Sequence, residues 1–403
     1  MLGPDARQDP SAAFAAIRER GDVIRIPDRP GWIVVSHRHT LEVLGNPDDF
    51  SSSGIDGDAA IFGIVSLPPG AHGAERQRIA PSFGRKALGW IQPQLDELAA
   101  ELVASVPRGT PVDVHAALSL PMSRRAMAAL TGVDVATLDM LRELGGLIEL
   151  SRLDWLITGG DELSEQRHGL GRSAIRQQAA AFRQIVRSRA STGNWPADLT
   201  TQILGGPVEP TRAAIRAATL VGAGAWLTLP NGGLNSVSSL LAHVLLESAS
   251  TGRITPWPAV DSGVTRPLAL VAADPRSSEL FLGEVLRLSS PSQWATRTVT
   301  TTRQLAGAEL HAGDRIVCSL GAANRDPAVF TRPDELIADR DPNPALAFGY
   351  GPHLCIGREF ARMQARSLLH ALATSFSRID VIEIDWMATN LMRSPIRIMA
   401  TVC

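Results

Sequence analysis

The sequence is almost without lysine. Lys86 is the single one, and the other basic residues are arginine. We read this as codon usage in a GC-rich genome, not as chemistry. An excess of one charge sign is also missing: 39 basic and 41 acidic residues leave a net charge of −2. That excludes a nucleic-acid partner held by bulk positive charge. The three cysteines, Cys318, Cys355 and Cys403, are too few and too scattered for a disulfide framework. They point to a reducing cytoplasm. No window of about 20 apolar residues is free of charge, so no membrane span is expected. The early apolar run SAAFAAI is short and lies among Asp5, Asp9, Arg18 and Glu19, unlike a targeting segment. Repeats, low-complexity tracts and clear linkers are absent. What remains is a chain of 403 residues, 44% hydrophobic and 20% charged, able to bury a large core.

Two short runs of strand character come early, DVIRI at 22–26 and GWIVVS at 31–36. Most of 70–250 has apolar residues at three- and four-residue spacing, as in LDELAAELVASV (95–106) and LGRSAIRQQAAAFRQIVRSRA (170–190). Helices follow over 277–288 and 357–372, with strand-like pieces and turns over 295–350. The pattern predicts a mainly helical α+β domain over 1–403. Its β-rich part comes from about 20–60, 295–320 and the C-terminal segment. Its helical part covers about 70–290 and 340–380. The stretch 320–350 is long and poorly periodic, so specific bonds are expected to tie it down.

The sharpest segment is FGYGPHLCIG, 348–357. Gly349, Gly351 and Gly357 allow a tight turn and close backbone approach to something flat or bulky. Cys355 sits just before a helix, where unpaired N–H groups favour a thiolate. Taken alone, such a cysteine reads as a buried structural one. The Phe–Gly–Gly–His–Cys–Gly spacing changes that. It resembles the haem-binding loop of the cytochrome P450 family, F-G-x-G-x-H-x-C-x-G, and carries it whole. A zinc site is disfavoured, because no second Cys/His pair is placed to complete four ligands.

The resemblance covers essentially the whole chain. It implies that Cys355 is the axial thiolate of haem b iron, favouring O–O cleavage. Phe348, Gly349 and Gly357 would shape the loop around it. Glu284 and Arg287 in GEVLR match the family's Glu-x-x-Arg pair. The stretch AANRDPAVFTRPDELIADR matches its meander, with Arg340 completing a buried structural network. His72 and Arg76 in HGAERQR, with Arg297 and His353, match the haem propionate donors. Arginine suits a carboxylate because its planar fork bonds it bidentately. The implied fold places haem between a long central helix and the helix after Cys355.

That central helix is expected over about 211–246, and it contains AGAWLTLPNGG at 223–233. The family pattern there is A-G-x-(acid)-T, whose acid and hydroxyl steer protons toward dioxygen. Ala223 and Gly224 match. Trp226 falls at the acid position and Leu227 at the threonine, with Thr228 one residue late, about 100° further round. Pro230 cannot donate to the Trp226 carbonyl, so a kink near 226–230 is expected. Asn231 would present a polar group. Trp226 either covers the haem or packs in the core. The catalytic candidates are Trp226, Thr228 and Asn231. Three readings follow. The leading one is a monooxygenase with a rebuilt proton supply. The second is a non-hydroxylating haem-thiolate enzyme that uses peroxide or performs rearrangement, dehydration or coupling. The third is a catalytically silent haem-bearing recruitment module.

Phe62, Gln293, Trp294, Leu391 and Met392 are the expected pocket residues. They suit a hydrophobic or aromatic small molecule, such as a natural-product intermediate. The 150–175 segment matches a lid. Arg358, Arg362 and Arg366 recur every four residues and would form a basic patch for a ferredoxin. Electrons would then come from NAD(P)H through a ferredoxin reductase and that ferredoxin. Cys318 in RIVCSL reads as a buried strand residue.

Overall fold

The computed structural model describes Ala6 and residues 8–27, 31–52, 63–158, 162–249, 274–387 and 392–403. Phe62 and Leu391 lie outside the described residues. So do the side chains of Ala223, Leu227, Pro230 and Asn231 and those of 149–158 and 162–165.

The described strands form three small sheets. They are β1 (Val23–Arg25), β2 (Gly31–Val34), β3 (Phe50–Ser51), β4 (Val112–Asp113), β5 (Trp294–Val299), β6 (Arg303–Leu305), β7 (Ala308–Leu310), β8 (Arg315–Ser319), β9 (Ile379–Trp386) and β10 (Pro395–Val402). The largest sheet has the order β1-β2-β8-β5-β3. Its β2–β8 pair is parallel and the others antiparallel. The alternating apolar residues Val34, Val299, Ile316 and Cys318 point into one core with Phe50 and Leu310. Burial pushes the Cys318 thiol up to about 12, so it is an inert packing residue. The second sheet is β4-β10-β9, and β6 and β7 pair as a hairpin.

Six helices position the candidate site: α1 (Pro69–Ile79), α2 (Glu162–Thr192), α3 (Arg212–Gly233), α4 (Asn235–Glu247), α5 (Pro275–Ser289) and α6 (Arg358–Ser375). Their starts follow local chemistry. The Thr211 hydroxyl accepts from Ala214 N at 3.1 Å, and the Asp274 carboxylate accepts from Arg276 N and Ser277 N, with Pro275 in the first turn. Every residue from Val237 to Glu247 is buried, so α4 runs through the interior.

The helix expected over about 211–246 is divided into two, α3 and α4. The chain stays helical through Pro230, and the helix is interrupted at Leu234, between α3 and α4. Proline removes one intrahelical bond, which the bonds on either side tolerate. Gly232 and Gly233 then lower helix propensity just before the break. Hydroxyls take carbonyls there: Ser236 Oγ bonds Gly232 O, and Ser123 Oγ bonds Leu234 O at 2.9 Å.

Among the described residues, no helix is long and apolar enough to cross a membrane.

Candidate active site

The Cys355 loop is a tight turn. Gly349 N donates to Leu346 O at 2.8 Å, and Cys355 N donates to Phe348 O at 2.9 Å. Gly349 and Gly351 have φ of +73° and +69°, the left-handed region open to glycine. At Gly351 a Cβ would also lie 2.5 Å from Leu44 O, so the loop packs directly on the helix His37–Gly45. Burial raises the Cys355 thiol pKa. Backbone donors at Gly357 and Arg358 and the charges of Arg76 and Arg358 oppose that rise. The sulfur is therefore set to be held as thiolate by any cation placed against it.

Four basic side chains gather beside this loop. The His72 and His353 rings lie 3.8 Å apart, tilted by 31°. Ser52 Oγ and His353 Nε2 are 2.9 Å apart. Arg76 donates to Leu354 O, within the cysteine loop, and Arg297 donates to Thr296 O. Burial lowers the pKa of all four groups. Nearby Arg297, His72 and Arg76 also help take His353 down to about 3. Among the described residues, none of the four meets a carboxylate. Such a partly buried cluster of donors, with the arginines lowering the histidines, suits an anionic group.

Glu284, Arg287 and Arg340 form the network expected of them. Arg287 grips both Glu284 oxygens at 2.8 Å, and Arg340 Nε reaches them at 3.0 and 3.1 Å. Ile337 N and Asn343 Nδ2 add donors. Arg287 then bonds the carbonyls of Asn324, Pro333 and Glu335, while Arg340 bonds that of Thr331. Both guanidinium groups lie over the Phe330 ring. The long 320–350 segment is thereby tied down. Asn324, which the sequence reading passed over, extends the chain of bonds by accepting from Leu346 N at 2.6 Å. Leu346 O in turn accepts from Gly349, so bonds run continuously from Glu284 to the cysteine loop.

On α3, Trp226 is 1% exposed and stacks on Phe182 of α2, with centroids 4.7 Å apart and planes at 21°. Of the two places expected for it, the ring takes the core one. Its Nε1 has no partner among the described residues. Thr228 Oγ1 donates to Gly224 O at 3.0 Å. Relative to Gly224, the family's threonine position lies about 60° to one side and Thr228 about 40° to the other. The late hydroxyl thus still shares the face of Gly224.

Other expectations change. Gln293 is buried. Its amide folds back on Ser289 O and Ser290 O at the end of α5, where Ser290 is left-handed. Trp294 opens β5 opposite Ser319, and Met392 bridges Ser292. The arginine row is not a free basic patch either. Arg366 pairs with Glu279 and Glu359, and Arg362 lies over the Phe348 ring. Glu359 lies seven residues before Arg366, two turns back on α6, while Glu279 comes from α5 and only folding brings it near. A second omission is Glu75, one residue before Arg76. Its carboxylate is clasped by Arg78 at 2.9 and 2.6 Å, an i,i+3 pair legible in the sequence.

Loop, basic cluster and network together fit a haem-thiolate fold, and comparison with known proteins agrees. The cytochrome P450 family model matches residues 279–382. The β-dihydromenaquinone-9 ω-hydroxylase of Mycobacterium tuberculosis is 28% identical over 389 residues, covering 90% of this chain and 70% of that protein. The nocardicin C N-oxygenase of Nocardia uniformis is 27% identical, covering 99% and 97%. Among solved structures, CYP109E1 from Bacillus megaterium in complex with testosterone shares the fold, with a TM-score of 0.81 at 21% identity over 98% of each chain. The family model, the curated relatives and the shared fold support a cytochrome P450 family protein, an oxidoreductase; that family uses haem iron supplied with electrons by redox partners. The residues present fit haem on two counts. Two buried donors, His72 and Arg297, and two half-buried ones, Arg76 and His353, suit a pair of carboxylates, and a Cβ at Gly357 would meet no protein atom, so the chain's own packing does not demand glycine there.

Proposed function

We propose that the protein is a monooxygenase of a hydrophobic or aromatic small molecule, with a place in natural-product biosynthesis. Cys355 would ligate haem iron. His72, Arg76, Arg297 and His353 would hold the propionates, and Glu284, Arg287 and Arg340 would fix the loop. Bound haem supplies the oxidising chemistry. The protein's residues orient it, exclude water and deliver protons. The observation that carries the reading is the Thr228 hydroxyl on the Gly224 face, bonded to the Gly224 carbonyl, which keeps a proton-handling group on the central helix. The hydroxylase and N-oxygenase named among the relatives support oxygen insertion. Electrons would come from NAD(P)H through a ferredoxin and its reductase in the cytoplasm. With Arg366 paired, the docking charge falls to other residues, such as Arg358.

The test is a panel of hydrophobic compounds screened for spectral shifts on the haem-loaded protein. Turnover follows with ferredoxin, reductase, NADPH and ¹⁸O-labelled dioxygen. Label in the product is expected. Turnover without label, supported by peroxide or by no oxidant, would favour the second reading, a non-hydroxylating enzyme. That reading draws on Trp226 standing where the family has an acid.

A further inference from the structure

The central helix offers no carboxylate at 226, yet one stands beside it on another element. Glu75 lies on α1, and its Oε1 is 3.8 Å from the position a Cβ on Gly224 would take. At the same glycine, Thr228 Oγ1 donates to the carbonyl. Ile64 N approaches the same Cβ position at 4.0 Å. A Cβ on Gly63, whose φ is +65°, would run into both Gly224 O and Thr228 Oγ1. Three segments therefore converge on Gly224, bringing one carboxylate and one hydroxyl to it.

Glu75 is not an ordinary surface acid. Its side chain is 18% exposed, which leaves a route to solvent, and Arg78 clasps it. Arg78 also donates to Ile203 O and to Val221 O, the latter on α3 one turn before Gly224. The guanidinium thus keeps two acceptors when the carboxylate turns away. When the pair opens, only the Nε donor and one Nη2 hydrogen lose Glu75, and Arg78 is exposed enough for water to take them.

We propose that Glu75 is the proton-delivering acid of this enzyme, replacing from α1 the acid missing from α3, with Thr228 as the second member of the relay. This rests on the monooxygenase reading. Inserting oxygen into a C–H bond consumes one dioxygen, two electrons from the external donor and two protons. One oxygen atom becomes the product hydroxyl and the other leaves as water. Glu75 takes each proton from solvent at Oε1, passes it along the Gly224–Thr228 face, and returns to its carboxylate form against Arg78.

The test compares haem-loaded wild type, Glu75→Gln and Glu75→Asp at equal haem content, in two assays that need no known substrate. Cyanide is protonated at neutral pH and must lose its proton to bind the ferric protein. A carboxylate in the pocket speeds that association, so Glu75→Gln should bind cyanide markedly more slowly. Guaiacol oxidation driven by hydrogen peroxide should slow by about a hundredfold in Glu75→Gln, the usual scale of general acid–base help. The solvent isotope effect should rise, and Glu75→Asp should recover part of both rates. Rates within about twofold of wild type in both assays, far below that scale, would overturn the proposal. If label from dioxygen still entered product, the monooxygenase reading would survive that outcome. Loss of both rates with no label in any wild-type product would keep Glu75 as proton carrier and reject monooxygenation.

Discussion

Trp226 and Thr228 stand two positions apart on α3 and meet opposite surroundings. The indole is buried against Phe182, while the hydroxyl is bonded to a carbonyl on the Gly224 face. Offset ring stacking adds to the area the Trp buries. Trp226→Ala should cost about 3–5 kcal/mol through the cavity it leaves, read as a lower urea midpoint. Its imidazole affinity should change little, because the ring packs toward α2. A large change in that affinity would place the indole over the haem instead. Cys355→Ser should load haem without the thiolate spectrum. A persisting thiolate signature would remove Cys355 as ligand.

At the scale of elements, α5 and the 320–350 segment form one unit. Glu284 and Arg287 are fully buried, and their bonds reach carbonyls far along the chain. Breaking such a pair leaves a charge unpaired in the interior. Arg287→Ala should therefore destabilise by about 3–5 kcal/mol and yield little haem-loaded protein. Normal haem content would separate the network from the cysteine loop. The Glu-x-x-Arg pair and Arg340 were legible in the sequence because each is a charged residue at fixed spacing. Asn324 was not, because its role is to accept from Leu346 N, a partner that only folding brings near. The α3–α4 break shows the same limit. Pro230 announced an interruption, but the two glycines and the hydroxyls at the turn decided where it fell.

For the whole molecule, a buried polar centre links distant parts of the chain. His243 on α4 lies 2.9 Å from Arg393 O, near Trp386, with Arg393, Arg325 and His115 in its field. Burial takes His243 down to about 3 and His115 to about 4. Both are neutral when folded at neutral pH, whereas unfolded histidine titrates near 6.5. Between those values the unfolded chain binds more protons, so stability is full above about pH 6.5 and falls as pH drops toward 3. Urea midpoints should decline over that window, and His243→Gln should decline less steeply. Equal slopes would exclude His243 as a source of acid sensitivity.

By itself the sequence pointed to the family resemblance, the cysteine loop, the four basic residues beside it and the Glu–Arg–Arg network. Each of these depends on particular residue types at fixed separations along the chain, and such spacing can be read before folding. The tertiary structure decided the rest: that Trp226 meets Phe182, that Gln293 caps a helix, that Arg366 is already paired, and that Glu75 stands at Gly224. These contacts join segments tens to hundreds of residues apart, or choose between two faces of one helix. Periodicity gives the faces, but only packing assigns each face its neighbour.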